Sequence, residues 1–237
     1  MISFVVPAHN EELLIGRTLD AIRSAVEQVG EPFEIVVADD DSSDRTGAIA
    51  HEHGARVVRV AHRQIGRTRN AGARASSGDI LIFVDADTVI SANTLRATLR
   101  ALHHGAVAGG AGLRLDGQLP WHGSLLLWLV RTGMRFGRLA AGCYLFCTRA
   151  AFEAAGGFDE SLYASEEIAL SRALARQGRV VILRETVESS GRKLRTHSGW
   201  EILALISAVA RQGPRALRSR EHLELWYGRR RSDPGHK

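Results

Sequence analysis

Apolar runs and amphipathic stretches alternate through the first half of the chain with little interruption. Ile2 to Val6 is a continuous apolar run that stops at Pro7, which predicts a strand buried on both faces. From about Glu11 the spacing changes to that of a helix, with Ile15, Leu19, Ile22 and Val26 on one face. Glu11 and Glu12 complement the positive end of that helix. Phe33 to Ala38, Arg56 to Val60 and Asp79 to Val84 read as further strands. Helices at about Asp44 to His53 and Ile65 to Ala75 separate them, and Ser91 can cap another running to about His103. Such β-α-β-α alternation predicts a parallel sheet with helices on both faces.

After about Val107 the rhythm changes. Ala106 to Leu115 is expected as a strand, followed by a turn at Gly117 to Pro120. Trp121 to Leu139 has a broad apolar face with Arg131, Arg135 and Arg138 on one stripe, fitting a helix packed on the domain or one lying at a lipid surface. Gly142 to Thr148 is a strand, followed by a short helix and the turn Gly156-Gly157-Phe158-Asp159. A helix from Ser165 to Gln177, a strand Val180 to Leu183 and a helix over roughly Ser198 to Arg211 complete the pattern. The expected organisation is a single domain over residues 1–237. It divides into a first half of regular alternation over about 1–109, a second half over 110–218, and a basic tail over 219–237.

Composition narrows the class. The 237 residues are 45% hydrophobic and 24% charged, ordinary for a globular protein. A net charge of +5, almost all from arginine, points to an anionic partner such as a nucleotide, a nucleic acid or a lipid surface. The basic patches lack interleaved aromatics, which argues against nucleic acid. Cys143 and Cys147 lie in an apolar stretch without a second metal-type pair and read as buried thiols. Met1 leads directly into a strand and the longest apolar run, Leu125 to Val130, is too short to span a bilayer, so a cytoplasmic location is expected.

The chemistry concentrates where strands end. Ile80 to Val84 runs into Asp85-Ala86-Asp87-Thr88, and two carboxylates at a strand terminus suit a hard cation such as Mg²⁺ or Mn²⁺. Pro7 to Glu12 and Asp39 to Asp44 end two other strands on the same rim, the ligand-binding side of an open α/β sheet. So many carboxylates repel unless cations answer them, and Arg63, Arg67, Arg69 and Arg74 lie within reach in sequence.

Taken together, the rim motifs resemble glycosyltransferase family 2, inverting nucleotide-sugar enzymes of the GT-A fold. They are Pro7-Ala8-His9-Asn10-Glu11-Glu12, Asp39-Asp40-Asp41-Ser42-Ser43-Asp44, Arg69-Asn70-Ala71-Gly72, Asp85-Ala86-Asp87, Gly156-Gly157-Phe158-Asp159-Glu160 and Glu166-Glu167. The resemblance covers roughly Ile2 to Leu183 and implies a Rossmann-like, mostly parallel sheet with an acceptor-side extension.

It also implies roles. Pro7, Ala8, Asn10 and Glu11 would line the nucleotide pocket, Asp39 and Asp40 would hold base and ribose, and Arg69, Asp85 and Ala86 would lie beside the nucleotide. Asp87, supported by Asp85, would ligate Mg²⁺ or Mn²⁺, with His197 as a further candidate ligand. Glu167 would be the general base, with Glu166 beside it on the acceptor side. Donor and acceptor would be a nucleotide diphosphate-sugar and a glycan or lipid-linked hydroxyl, with peripheral contact at the inner face of a membrane. Arg192, Lys193 and Arg195 would close as a lid or stand as a solvated loop.

Asp41 replaces the family's common glycine, Glu167 its commoner aspartate, and Ala169 stands where another acidic residue often follows. Two other readings fit parts of the pattern. In a haloacid-dehalogenase-like phosphatase Asp85 would be the nucleophile, but that motif is expected on the first strand, with a lysine downstream. A non-catalytic protein binding anionic surfaces would leave the acidic rim without a purpose.

Overall fold

The computed structural model describes residues 1–117, 140 and 142–192. The Trp121 to Leu139 segment, His197, the expected helix from Ser198 and the basic tail lie outside the described residues. In chain order the elements are β1 (Ile2–Ala8), α1 (Ile15–Glu27), β2 (Phe33–Asp40), α2 (Thr46–Glu52), β3 (Arg56–Val60), α3 (Ile65–Ala75) and β4 (Ile80–Val84). There follow β5 (Thr88–Val89), α4 (Ala92–His103), β6 (Ala106–Leu115), β7 (Tyr144–Thr148), α5 (Arg149–Ala154), α6 (Glu166–Leu174) and β8 (Arg179–Ser189).

One eight-stranded sheet runs in the order β3-β2-β1-β4-β7-β6-β8-β5. The pairs β1–β2, β1–β4, β2–β3 and β6–β8 are parallel, while β7 runs antiparallel to both β4 and β6. β5 pairs antiparallel with the end of β8, Thr88 opposite Ser189. The sheet is therefore mixed and mostly parallel, and it spans both halves of the chain.

Strand alternation divides the core in two. Phe4, Val6, Ile82 and Val84 point to one face, where Ile15, Leu19, Ile22 and Val26 of α1 and Leu95 of α4 cover them. Val5, Leu81 and Phe83 point to the other, against Phe152, Phe158, Leu170 and Leu174. Each of these buried side chains contributes about 1.5–3 kcal/mol of transfer free energy. Helix α3 approaches β1 so closely that a Cβ at Gly72 would stand 2.5 Å from Val5 Cγ1. Cys143 and Cys147 are buried free thiols, and burial pushes both above their usual range.

Several element ends differ from expectation: β2 runs on to Asp40, β7 starts only at Tyr144 and α6 stops at Leu174 rather than Gln177. β1 continues through Pro7 to Ala8, pairing Ala8 with Asp39. α1 begins at Ile15 rather than near Glu11, because Asn10 is left-handed (φ 51°) and Glu11 N–H donates to Thr46 Oγ1 at 2.8 Å instead of entering a helix. β8 reaches Ser189, well past Leu183, held by its ladders to β6 and β5.

Candidate active site

The carboxyl ends of β1, β2 and β4 form one rim. Among the described residues, the non-glycine positions with positive φ are Asn10 (51°), Asp41 (57°), Arg63 (49°) and Ser165 (61°). The first three follow the ends of β1, β2 and β3, and the fourth precedes α6. Such conformations cost on the order of 1–3 kcal/mol each and accumulate where a site demands them.

Side chains lock the β1 and β2 tips together. Asn10 Oδ1 accepts from the Ser43 N–H at 2.8 Å, and the Asn10 N–H donates to Ser42 Oγ at 3.0 Å. His9 Nδ1 lies 2.7 Å from the Asp40 carbonyl and His9 Nε2 lies 2.8 Å from Arg63 Nη1, while Arg63 also pairs with Asp41. Asp44 accepts from the N–H and the hydroxyl of Thr46 and from the Glu12 N–H. Burial pushes Asp44 up, but the Thr46 and Glu12 bonds outweigh it and leave its carboxyl below the usual range.

The two aspartates of β2 have different surroundings. Asp40 Oδ1 accepts from the His62 and Arg63 N–H groups (2.6 and 2.8 Å), and Oδ2 from Gln64 N–H and Thr68 Oγ1 (3.1 and 2.7 Å). That carboxylate holds the start of α3. Asp39 is also buried, and its bond from the Ser42 N–H is long at 3.3 Å.

Arg69 reaches the Asp85 end of the rim from below. It is 2% exposed beneath the rim. Nη1 donates to Glu166 Oε1 at 2.6 Å, and Nη2 to Asp85 Oδ1 at 2.8 Å and to the Gly142 carbonyl at 3.0 Å. Its Cζ stands 5.2 Å from the Phe158 ring centroid. Burial alone would push Arg69 down, but Asp85, Glu166 and Glu167 outweigh it and raise it above its ordinary value. In this position the guanidinium joins the Asp85 end of β4 to the start of α6.

Glu166 is buried, whereas Glu167 beside it is only half-buried. Desolvation and the Glu166 charge push Glu167 up to about 8, with Arg69 pulling the other way. At neutral pH Glu167 therefore holds a proton more firmly than an ordinary glutamate, as suits a group that collects one during a reaction.

Asp85 and Asp87 flank buried Ala86 at the end of β4. Asp87 Oδ1 accepts from Ser189 Oγ at 3.0 Å and Thr88 Oγ1 at 3.3 Å. Among the described residues no cluster of three or more His, Cys, Asp or Glu forms a complete metal cage. Two carboxylates on a rim with excess negative charge nevertheless fit a hard divalent cation, since Mg²⁺ and Mn²⁺ sites take one or two carboxylates plus substrate phosphates and water.

Two contacts at this rim carried no sequence signal. Ser189 reaches Asp87 only because β8 extends beyond its apolar run. Arg192 Nη2 stands 3.1 Å from both carboxylate oxygens of Glu11, linking the end of β8 to the end of β1. Both residues of that pair are largely buried.

A mixed α/β sheet with an acidic strand-end rim and a glutamate pair across it defines a GT-A-type fold. The chain belongs to glycosyl transferase family 2, whose model matches residues 3–152. It is 38% identical over 97 residues to the 4,4'-diaponeurosporenoate glycosyltransferase of Staphylococcus haemolyticus, covering 38% of this chain and 25% of that protein. To the undecaprenyl-phosphate 4-deoxy-4-formamido-L-arabinose transferase of Edwardsiella ictaluri it is 32% identical over 127 residues, 51% of this chain and 39% of the relative. The matches thus span between a quarter and two fifths of these relatives' own length. In structure it is similar to a mannosyltransferase of Pyrobaculum calidifontis solved with GDP-Man and Mn²⁺. The TM-score is 0.67 at 19% identity, over 95% of this chain and 68% of that one. The family displaces the phosphatase reading, and Asp85, its supposed nucleophile, is tied to Arg69 at 2.8 Å.

Proposed function

We propose that this chain transfers a sugar from a nucleotide diphosphate-sugar to a hydroxyl acceptor, with inversion and with Mg²⁺ or Mn²⁺. One observation carries the reading: buried Arg69 bonds Asp85 of the metal motif and Glu166, the neighbour of the raised-pKa Glu167. Asp87 and Asp85 would hold the cation, which when bound offsets charge on the diphosphate leaving group. Ser189 orients Asp87 by its hydrogen bond. Asp39, Asn10, Glu11, Pro7, Ala8 and Ala86 supply the nucleotide side, with Asp40 fixing the loop around it.

Inversion needs a base opposite the leaving group. Glu167 takes the acceptor's proton as the hydroxyl oxygen attacks the anomeric carbon and the bond to diphosphate breaks. Arg69 pairs with Glu166 beside it at 2.6 Å and holds that side chain in place. An acceptor with a lipid portion fits the relative named for undecaprenyl-phosphate, and a glycan acceptor is the alternative within the same chemistry.

Calorimetric titration with UDP, GDP, ADP and TDP, in Mn²⁺ and then in EDTA, tests the donor side. Metal-dependent binding of at least one nucleotide is expected. Binding of none, or binding indifferent to EDTA, refutes the reading. Glu167→Gln should bind that nucleotide as the wild type does yet lose most turnover, and normal turnover would overturn the base assignment.

A further inference from the structure

Between α5 and α6 the chain passes through the turn Gly156-Gly157 and a stretch without regular structure before delivering Glu167. Side chains of α3 and its cap set the course of that stretch. Asn70 Nδ2 donates to the Phe158 carbonyl and to Glu160 Oε1, both at 2.9 Å, while Asn70 Oδ1 accepts the Phe158 N–H at 2.9 Å. An amide presents a donor and an acceptor in one plane, so Asn70 grips both backbone groups of Phe158 as a neighbouring strand would. Gln64, the cap of α3, donates through Nε2 to the carbonyls of Glu160 (3.0 Å) and Leu162 (2.5 Å).

The grip leaves no slack. Gly157 is left-handed (φ 73°), and a Cβ there would stand 2.8 Å from Asn70 Oδ1. Phe158 meets Phe83 edge-on at 5.0 Å and lies under Arg69, which in turn holds Glu166. Salt bridges from Arg67 and Arg74 to Glu160 are longer (3.6 and 3.5 Å) and solvent-screened, so they fix position weakly. The Asn70 bond, followed by those arginines, holds the Glu160 carboxyl below its usual range. The same N-terminal turn of α3 also hangs on Asp40, through the Gln64 N–H and Thr68 Oγ1. One helix therefore sets both the nucleotide-side loop and the approach to the glutamate pair.

Ser165 enters α6 left-handed and without a side-chain cap, so no capping bond anchors the start of that helix. Apolar contacts hold a turn against the core but are non-directional. We propose that Asn70 is a positioning residue: by clamping the turn at Gly157 to Glu160 it sets where Glu167 stands relative to Asp85 and Asp87. The inference rests on the reading of Glu167 as base.

The test uses the full chain carrying Asn70→Ala. Nucleotide binding with Mn²⁺ is measured by calorimetry, and turnover as nucleotide release from UDP-glucose, UDP-N-acetylglucosamine and GDP-mannose. A displacement near 1 Å costs on the order of 100-fold, so kcat should fall by roughly 10- to 100-fold. Nucleotide affinity and donor KM should stay within about twofold, because no bond of Asn70 reaches the donor side. Backbone hydrogen exchange should accelerate over residues 158–167 while β1, β2 and β4 keep their protection.

Asn70→Asp, which keeps the acceptor for the Phe158 N–H but loses both donations, carries the same test if the truncation does not fold. Unchanged kcat, unchanged exchange over 158–167, or equal losses of kcat and nucleotide affinity would each overturn the proposal. If the wild type releases nucleotide from none of the donors, the transferase reading fails. The exchange comparison then still decides whether Asn70 holds the turn.

Discussion

Removing Arg69 tests the centre of the site most directly. The guanidinium is 2% exposed and bonds Glu166, Asp85 and the Gly142 carbonyl at 2.6, 2.8 and 3.0 Å. Arg69→Met keeps much of the apolar volume over Phe158 but leaves two carboxylates facing each other without a cation. Breaking a buried pair by deleting one partner costs about 3–5 kcal/mol, most of it the uncompensated charge that remains. For a chain of this size, roughly 2–4 °C of melting temperature accompany each kcal/mol, so the midpoint should fall by about 6–20 °C.

Circular dichroism melts and urea titrations at pH 7 read the loss. The double variant Arg69→Met/Glu166→Gln should be more stable than Arg69→Met alone, because it removes one stranded charge. Arg69→Lys should lie between wild type and Arg69→Met, since an ammonium lacks the fork that reaches both carboxylates. A loss below about 1 kcal/mol for Arg69→Met, or a double variant no better than the single, would refute the account of Arg69 as the neutralising bridge.

Glu167 makes a pH prediction: with its carboxyl raised from 4.5 to about 8, turnover should climb as pH rises through that region, and Glu167→Gln should remove the limb. The same shift contributes stability at low pH, because the folded chain retains a proton that the unfolded chain releases. That contribution is present below pH 4.5 and fades toward about 8, so Glu167→Gln should flatten stability across the window in chemical denaturation. Asp87→Ala should abolish Mn²⁺-dependent nucleotide binding while leaving the melting temperature nearly unchanged, and retained metal-dependent binding in calorimetry would refute its role as ligand. Asp44→Ala should cost about 1 kcal/mol through the lost bonds to Thr46 and Glu12. Since Asp44 is held below its usual range, that difference should persist at neutral pH and shrink as pH falls through the folded value.

The chain's pattern of apolar residues determined the strands and helices, because a strand buried on both faces and a helix buried on one each leave a period that needs no partner to be read. β3, α3 and β6 fall at Arg56–Val60, Ile65–Ala75 and Ala106–Leu115, as their periodicity predicts. The acidic strand ends were legible for the same reason: Asp85-Ala86-Asp87 directly follows an apolar run, and a parallel sheet brings such ends to one rim. Tertiary structure alone decided which carboxylate answers to which donor. Asp39 and Asp40 are adjacent in sequence, yet Asp40 alone receives the four donors that open α3, because alternate strand residues face opposite sides of the sheet. Arg69 answers the rim carboxylates as its motif suggested, but that it does so from a buried position bridging Asp85 and Glu166 shows only in the folded chain. The links Ser189 to Asp87, Arg192 to Glu11 and Asn70 to Phe158 join residues about 90 to 180 positions apart. Nothing local marks them, because hydrogen bonds between side chains follow proximity in the folded chain and leave no period in the sequence.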